Sequence, residues 1–167
     1  MIAIRPMITE DVADACGVLN RIIVAGGTTA HEVPFSNILF LKSFLYRADT
    51  ISCQVALDER GTVAGFQWLG VHDQLPDCCV DIEIFTRREP VLKGAGRILL
   101  EKTKGVAIEL GYRSINAAIR ADKVIGLSYY DKMGFSDFSV ERGVPLRDGK
   151  PIDRISKSFK LNEDRQC

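Results

Sequence analysis

The sequence lacks an excess of charge of either sign: 22 lysines and arginines balance 22 aspartates and glutamates. Proteins that bind nucleic acid through phosphate contacts need a basic surface, so the balance argues against a nucleic-acid partner. A long apolar run is also missing, because the longest, in residues 35–47, is interrupted by Lys42 and is too short to span a bilayer. We therefore expect no membrane partner, and a small neutral or mixed-charge ligand suits this composition better.

A secretion signal is missing from the first residues, where no continuous apolar stretch occurs and acids arrive at Glu10 and Asp11. Paired metal-binding cysteines are missing as well, since the cysteines are odd in number and none stands in C-x-x-C spacing. We interpret all five as reduced thiols of a cytoplasmic protein, with neither a zinc site nor a disulfide framework: Cys16, Cys53, Cys78, Cys79 and Cys167.

What is present is an ordinary globular composition, 46% hydrophobic and 26% charged, over 167 residues. We predict one domain, 1–167, because this length buries one sizeable core and no linker or repeat divides it. The first part predicts a short strand at 3–5, a helix whose N-cap is Thr9, and a second helix over 36–46.

The middle of the chain alternates with the period of a β-strand. Residues 51–71 predict two strands joined by a tight turn, and residues 79–86 predict a third. In this third strand Asp81, Glu83 and Phe85 face one side of the sheet, while the aliphatic residues between them face the other.

The second half predicts a helix that starts near Gly96, a strand over 113–120, a short helix over 127–133 and a final hairpin with its turn at 148–149. Strands outnumber helices, and one strand–helix–strand crossover is clear. The predicted fold class is α+β: a mixed, mostly antiparallel twisted sheet of about six or seven strands flanked by about four helices.

The segment K-G-A-G-R, residues 93–97, places two glycines where a helix begins, although glycine costs roughly 0.5–1 kcal/mol relative to alanine. One interpretation is a tight strand-to-helix turn without a ligand. P-loop spacing is absent, and a dinucleotide fingerprint lacks its third glycine because Leu99 stands there. The other interpretation is a different phosphate cradle, in which unpaired backbone amides attract an anion and Lys93 and Arg97 add charge.

A second motif lies one predicted strand further on: Y-D-K-M-G-F at residues 130–135. The pair of motifs, together with the order of predicted elements over nearly the whole chain, resembles the GNAT superfamily of acyl-CoA-dependent N-acetyltransferases. The resemblance implies the GNAT fold and acetyl-CoA as cosubstrate, with no metal. Two positions depart from the family pattern: Val91 replaces the usual Arg or Gln, and Lys123 stands near a common asparagine.

The resemblance also implies residue roles. Tyr130 matches the position that faces the sulfur of CoA. The strand before the glycines holds the thioester and the glycine segment holds the pyrophosphate, so the implied CoA-binding set is Ile84, Phe85, Thr86, Lys93, Gly94, Ala95, Gly96, Arg97, Lys123 and Tyr130. A general base is also required, and Glu83 and Asp81 are the candidates; both are alternatively solvated charges on a half-exposed strand. His31 and His72 are expected to be surface residues on loops.

Residues 26–35, GGTTAHEVPF, resemble the TTA-x-x-E loop of phosphinothricin-type acetyltransferases, which implies that Thr29 and Glu32 contact a small amino-acid-like acceptor. The resemblance as a whole implies an acetyl-CoA-dependent N-acetyltransferase that acts on a small primary amine by direct attack. The alternatives are a non-catalytic acyl-CoA-binding sensor or interaction domain and a protein N-acetyltransferase. Many relatives dimerise through the sheet edge or terminal strands, so a homodimer is also implied.

Overall fold

The computed structural model describes residues 1–162 as seven strands and four α-helices. The strands are β1 Ala3–Pro6, β2 Thr50–Leu57, β3 Val63–Gly70, β4 Cys79–Thr86, β5 Ser114–Arg120, β6 Ser136–Pro145 and β7 Pro151–Lys160. The helices are α1 Val12–Ala25, α2 Asn37–Phe40, α3 Ala95–Glu109 and α4 Val124–Lys132; a 3₁₀ turn, Thr9–Asp11, precedes α1 and a π-helical turn, Leu41–Leu45, continues α2.

All seven strands form one mixed sheet in the order β1-β2-β3-β4-β5-β7-β6. Every neighbouring pair is antiparallel except β4 and β5, which are parallel because the crossover helix α3 joins them. Their pairing covers three positions, from Cys79 opposite Ser114 to Asp81 opposite Asn116. The two strands diverge beyond this point, so the end of β4 has a free edge where the sheet opens.

Helices cover both faces of the sheet, and each face has its own core. On one face α1 and the α2 region pack over an aromatic cluster that includes Phe40, Phe44, Phe66 and Phe85. On the other face α3 and α4 pack over a core that includes Val80, Ile82, Leu100, Ile115 and Tyr130. The alternation predicted for β4 is confirmed, because Phe85 enters the first core while Val80 and Ile82 enter the second.

The predicted N-cap of α1 is wrong. A 3₁₀ turn comes first, and the carboxylate of Asp11 accepts the Ile8 backbone N–H at 2.9 Å while it pairs with Arg5 at 2.6 Å. Thr9 instead shares a 3.0 Å hydrogen bond with the hydroxyl of Tyr46. The charge-assisted bonds of the Asp11 carboxylate thus stabilise the 3₁₀ turn that precedes α1.

The prediction for the cysteines is also wrong in one case, because Cys78 is disulfide-bonded. Cys16, Cys53 and Cys79 are free and buried, and Cys167 lies outside the described residues. Neither the number of cysteines nor their spacing shows whether a given cysteine is oxidised in the folded chain, so the sequence did not indicate this bond. Within residues 1–162, no helix is long and apolar enough to cross a membrane.

Candidate active site

A cleft of about 440 Å³ opens where β4 and β5 diverge. Its walls are the end of β4 and the following loop, the first turn of α3, the inner side of α4 and the loop after α1. The lining residues include five of those predicted to hold CoA: Ile84, Phe85, Thr86, Gly96 and Tyr130. These predicted residues therefore lie around one cleft, although their segments lie far apart in the chain.

Tyr130 lies on α4 with its ring buried against Tyr129 and Phe135, at centroid distances of 5.1 and 5.0 Å. Burial raises the pKa of the Tyr130 hydroxyl well above its ordinary value, although a hydrogen bond with the backbone of Ile84 opposes that shift. The hydroxyl therefore lies beside the diverging edge of β4 and keeps its proton across the neutral pH range.

The glycine segment forms the predicted tight start of α3. Gly94 adopts a left-handed conformation with φ 88°, which an L-residue with a side chain rarely adopts. The Ala95 amide donates to the carbonyl of Leu92, and the Ile98 amide donates to that of Gly94. Between them, the amides of Gly96 and Arg97 have no backbone partner in the described chain, as is usual in a first helical turn. These two amides are therefore a candidate binding site for an anion.

The charged neighbours of this turn, Lys93 and Arg97, are exposed, whereas Ala95 is buried. Lys123 precedes α4 and lies 3.7 Å from the carboxylate of Asp122. Arg88, which sequence reasoning missed, crosses the mouth of the cleft and donates to the Gly26 carbonyl at 3.0 Å and to the Thr28 hydroxyl at 3.2 Å. Its signal in the sequence was the Arg-Arg pair that directly follows β4.

The hydroxyl of Tyr129 is buried in the wall of the same cleft, where no group of residues 1–162 forms a hydrogen bond with it. A Cβ at Gly96 would lie 3.0 Å from this oxygen, so glycine at position 96 leaves the space that the tyrosine occupies. Burial raises the pKa of Tyr129 to about 12, which keeps the group a neutral donor. An unpaired buried hydroxyl lowers the free energy of unfolding, so the hydroxyl of Tyr129 destabilises the fold locally.

Removing that hydroxyl is expected to stabilise the protein. In Tyr129→Phe the free energy of unfolding in urea should rise by about 1–3 kcal/mol, the usual cost of an unsatisfied buried polar group. Tyr112→Phe is the matched control, because Tyr112 lies at the opposite end of α3, away from the cleft. A loss of stability in Tyr129→Phe would show that the hydroxyl has a partner after all.

Asp81 lies at the point of divergence, and its Oδ1 accepts a 2.8 Å hydrogen bond from Nδ2 of Asn116. Burial raises the pKa of Asp81 to about 6; the Asn116 hydrogen bond opposes this rise and the charge of Glu83 adds to it. The Oδ1 atom of Asn116 is buried without a partner among the described residues. At neutral pH the carboxylate of Asp81 is thus ionised, and burying this charge lowers the stability of the folded protein.

This arrangement predicts pH-dependent stability. The folded-state pKa of Asp81 lies above its unfolded value near 4. Protonation of Asp81 therefore stabilises the fold fully below pH 4, and this effect is lost as pH rises through 6. A pKa raised from about 4 to about 6 corresponds to about 3 kcal/mol. Asp81→Asn should be more stable than the parent at pH 8 and similar to it at pH 4, because the new amide does not ionise and offers Asn116 a donor. Urea denaturation at both pH values measures this, and an equal effect at both would contradict it.

Glu83 points from β4 to the face opposite Tyr130 and meets His31, with 2.8 Å between His31 Nε2 and Glu83 Oε2. The expectation that His31 is a simple surface residue is wrong, since its side chain is 29% exposed and packs among three phenylalanines. The pair joins residues 52 positions apart, which no local pattern reveals. His72 is an exposed loop residue, as expected.

The loop after α1 supplies the remaining predicted residues. Thr29 is buried, and its hydroxyl accepts the backbone N–H of His31 at 3.2 Å. Glu32 is exposed, and its carboxylate accepts the backbone N–H of Arg147, in the β6–β7 turn, at 3.1 Å. Thr29 therefore shapes the loop that carries His31, while Glu32 ties that loop to the last hairpin.

No protein-family model matches the chain. Among curated proteins it is similar to YwnH of Bacillus subtilis strain 168, provisionally named a phosphinothricin acetyltransferase, with 26% identity over 146 residues, 86% of this chain and 90% of that protein. A crystal structure provisionally named a phosphinothricin N-acetyltransferase matches with a TM-score of 0.82 and 24% identity, over 98% of this chain and 100% of that one. A GNAT superfamily phosphinothricin acetyltransferase from Sinorhizobium meliloti, solved with acetyl-CoA, matches with a TM-score of 0.79 and 22% identity, over 97% and 89% of the two chains.

These two structures cover 98% and 97% of this chain with TM-scores of 0.82 and 0.79, so the predicted fold class is confirmed. The opening between β4 and β5, the motifs on α3 and α4 and the curated relative all agree with the predicted family. This chain shares the fold of N-acetyltransferases of the GNAT superfamily, and it is similar to proteins named for phosphinothricin acetyltransferase activity.

Proposed function

We propose that this protein transfers the acetyl group of acetyl-CoA to the primary amine of a small, amino-acid-like acceptor. One observation carries the proposal: the two sides of β4 carry complementary groups at the same point. The Tyr130 hydroxyl meets the backbone at Ile84 on one side, and the carboxylates of Glu83 and Asp81 stand on the other. A proton donor for a leaving group and acceptors for an amine proton thus flank a single position.

The residues present fit acetyl-CoA. The free amides of Gly96 and Arg97 suit the pyrophosphate, and the apolar walls of the cleft, including Val91 and Ile125, suit the pantetheine arm. The unpaired Tyr129 hydroxyl in the same wall is a donor without a partner in the described protein. Val91 removes one side-chain contact of the family pattern but leaves the amides intact.

When bound, acetyl-CoA supplies an activated acyl group as a thioester. A protein base first takes one proton from the acceptor ammonium. The neutral nitrogen then forms a bond to the carbonyl carbon, the carbon–sulfur bond breaks with CoA leaving as the thiolate, and the second nitrogen proton leaves to solvent. We assign the backbone N–H groups on the β5-facing edge of β4, within the predicted range Ile84 to Thr86, to the carbonyl oxygen, a type of stabilisation worth a few kcal/mol.

Tyr130 serves the departing sulfur as a hydrogen-bond donor. A thiol has an ordinary pKa of about 8.5 and tyrosine about 10, and burial moves Tyr130 further up. Full proton transfer from tyrosine to thiolate is therefore uphill by more than about 2 kcal/mol. A hydrogen bond to the sulfur needs no such transfer, so it is the role that the buried hydroxyl supports.

Glu83 is the proposed general base, because its carboxylate is partly exposed and is directed toward the loop at 26–35. Thr29 and Glu32 contribute to the acceptor side by fixing this loop. The alternatives remain a non-catalytic acyl-CoA sensor and a protein N-acetyltransferase. A cytoplasmic location, a homodimer and a single domain over 1–167 stay predictions from the sequence.

Two measurements test the proposal. Titration calorimetry with acetyl-CoA and CoA should give micromolar binding, and a thiol-release assay over a panel of amino acids and small amines should give turnover for at least one. Binding without turnover of any amine would support the sensor. Turnover confined to peptide N-termini would support the protein-modifying alternative, and no binding at all would overturn the proposal.

A further inference from the structure

We propose that His31 is a positioning residue that acts through Glu83, holding the carboxylate in the orientation in which it takes the proton of the acceptor amine. This inference rests on the proposed function. It is carried by a contact between a loop and a strand that the sequence keeps 52 residues apart.

The imidazole itself is held firmly. Its ring lies 5.2 Å from that of Phe35, 6.0 Å from Phe44 and 5.9 Å from Phe85, measured between centroids. Its backbone N–H donates to the buried Thr29 hydroxyl. Rings from three different segments therefore fix the plane of the imidazole and direct Nε2 at Glu83.

Glu83 depends on this contact. Among residues 1–162, His31 Nε2 is the one hydrogen-bond partner of the Glu83 carboxylate, and it engages Oε2. A free glutamate side chain samples many rotamers, so a fixed donor lowers the entropy lost when the carboxylate reaches its working position. Oε1 stays available to accept a proton, and the 30% exposure of the side chain gives an amine access.

The neighbouring groups lack this arrangement. Asp81 is held by the amide of Asn116 and not by a histidine. His72 accepts the backbone N–H of Gln74 through Nδ1 in the loop before β4. Within the described chain, His31 and Glu83 are thus the one pair in which an imidazole enclosed by aromatic rings contacts a partly exposed carboxylate.

Two substitutions separate the hydrogen bond from the packing. His31→Phe keeps an aromatic ring among the phenylalanines and removes the donor, whereas His31→Gln removes the ring and places an amide N–H near the position of Nε2. We expect His31→Phe to lower kcat by about 10–100-fold, the scale of a misplaced catalytic group. We expect His31→Gln to recover most of this loss, with the acetyl-CoA Kd and the acceptor KM within about twofold of the parent in both variants.

A double-mutant cycle shows whether His31 acts through Glu83. If it does, His31→Phe has no further effect on kcat in a Glu83→Gln background, because groups that act as one unit are not additive. Additive losses, or an unchanged kcat in His31→Phe, would overturn the inference while the proposed function stands. If the unmodified protein acetylates no amine, the proposed function fails and the inference fails with it. If a thermal melt shows that His31→Phe folds poorly, His31→Gln is compared with the parent instead. In that comparison, a kcat of His31→Gln as low as that of Glu83→Gln would overturn the inference.

Discussion

Acetyl-CoA binding is expected to be lost in Gly96→Glu and kept in Gly105→Glu. Both glycines lie in α3, but the surroundings differ. A Cβ at Gly96 would meet the Tyr129 hydroxyl at 3.0 Å, whereas one at Gly105 would meet no described atom within 4 Å outside its chain neighbours and its own helix backbone. A carboxylate at position 96 would also stand beside the free amides that we assign to the pyrophosphate. We expect the affinity to fall at least 100-fold, a loss of about 2.7 kcal/mol, by titration calorimetry.

Gly105→Glu is a close control, because it adds the same charge to the same helix and removes the same kind of residue. Gly96→Ala separates the two causes, since it adds the Cβ without the charge. An alanine variant that binds as weakly as the glutamate variant would assign the loss to the displaced Tyr129, and an intermediate one would assign part of it to repulsion. Micromolar binding by Gly96→Glu would contradict the pyrophosphate site.

The reasons for a glycine at position 96 could be predicted only in part from the sequence. The sequence predicted that glycine is needed so that a ligand approaches the helix amides, and the free amides agree with that. The structure adds a second requirement, because Tyr129, 33 positions later, occupies the space over Gly96. The glycine pattern is formed by neighbouring residues, so the sequence shows it directly. The close approach of α4 to α3 is a tertiary contact, and no periodic pattern in the sequence indicates it.

The same division explains the other outcomes. The two faces of β4 were predictable, because a period of two residues determines side-chain direction in any strand. The His31–Glu83 contact was not, since it depends on how the loop after α1 folds back over the sheet. Thr9 was misassigned because Asp11, paired with Arg5, stabilises a 3₁₀ turn over Thr9–Asp11 before α1, and the local pattern does not report that ion pair.

The departures at Val91 and Lys123 are consistent with a working cleft. Val91 is 64% exposed and lines the cleft, where it adds apolar surface in place of a polar contact. Lys123 lies beside Asp122 at the start of α4, so part of its charge is already compensated. Arg88 contributes the cation at the cleft mouth, although its side chain is engaged by the loop after α1.

The choice between the two carboxylates has the largest expected effect on turnover. Glu83→Gln should lower kcat by about 10²–10⁴-fold, the usual contribution of a general base, while acetyl-CoA still binds with its parent Kd. Asp81→Asn is the matched substitution, because Asp81 lies two residues before Glu83 on the same face of β4. We expect it to lower kcat by less than about tenfold, because Asp81 is buried against Asn116 and lacks the exposure of Glu83.

The pH dependence provides an independent check on this assignment. If Asp81 were the base, kcat of the parent would rise through pH 6, where the buried carboxylate loses its proton, and Asp81→Asn would abolish that rise together with most of the activity. If Glu83 is the base, the rise through pH 6 is at most a secondary effect of charge at Asp81, and Asp81→Asn removes it while most of the activity remains. A large loss in Asp81→Asn with near-parent turnover in Glu83→Gln would reverse the assignment, and with it the role of His31.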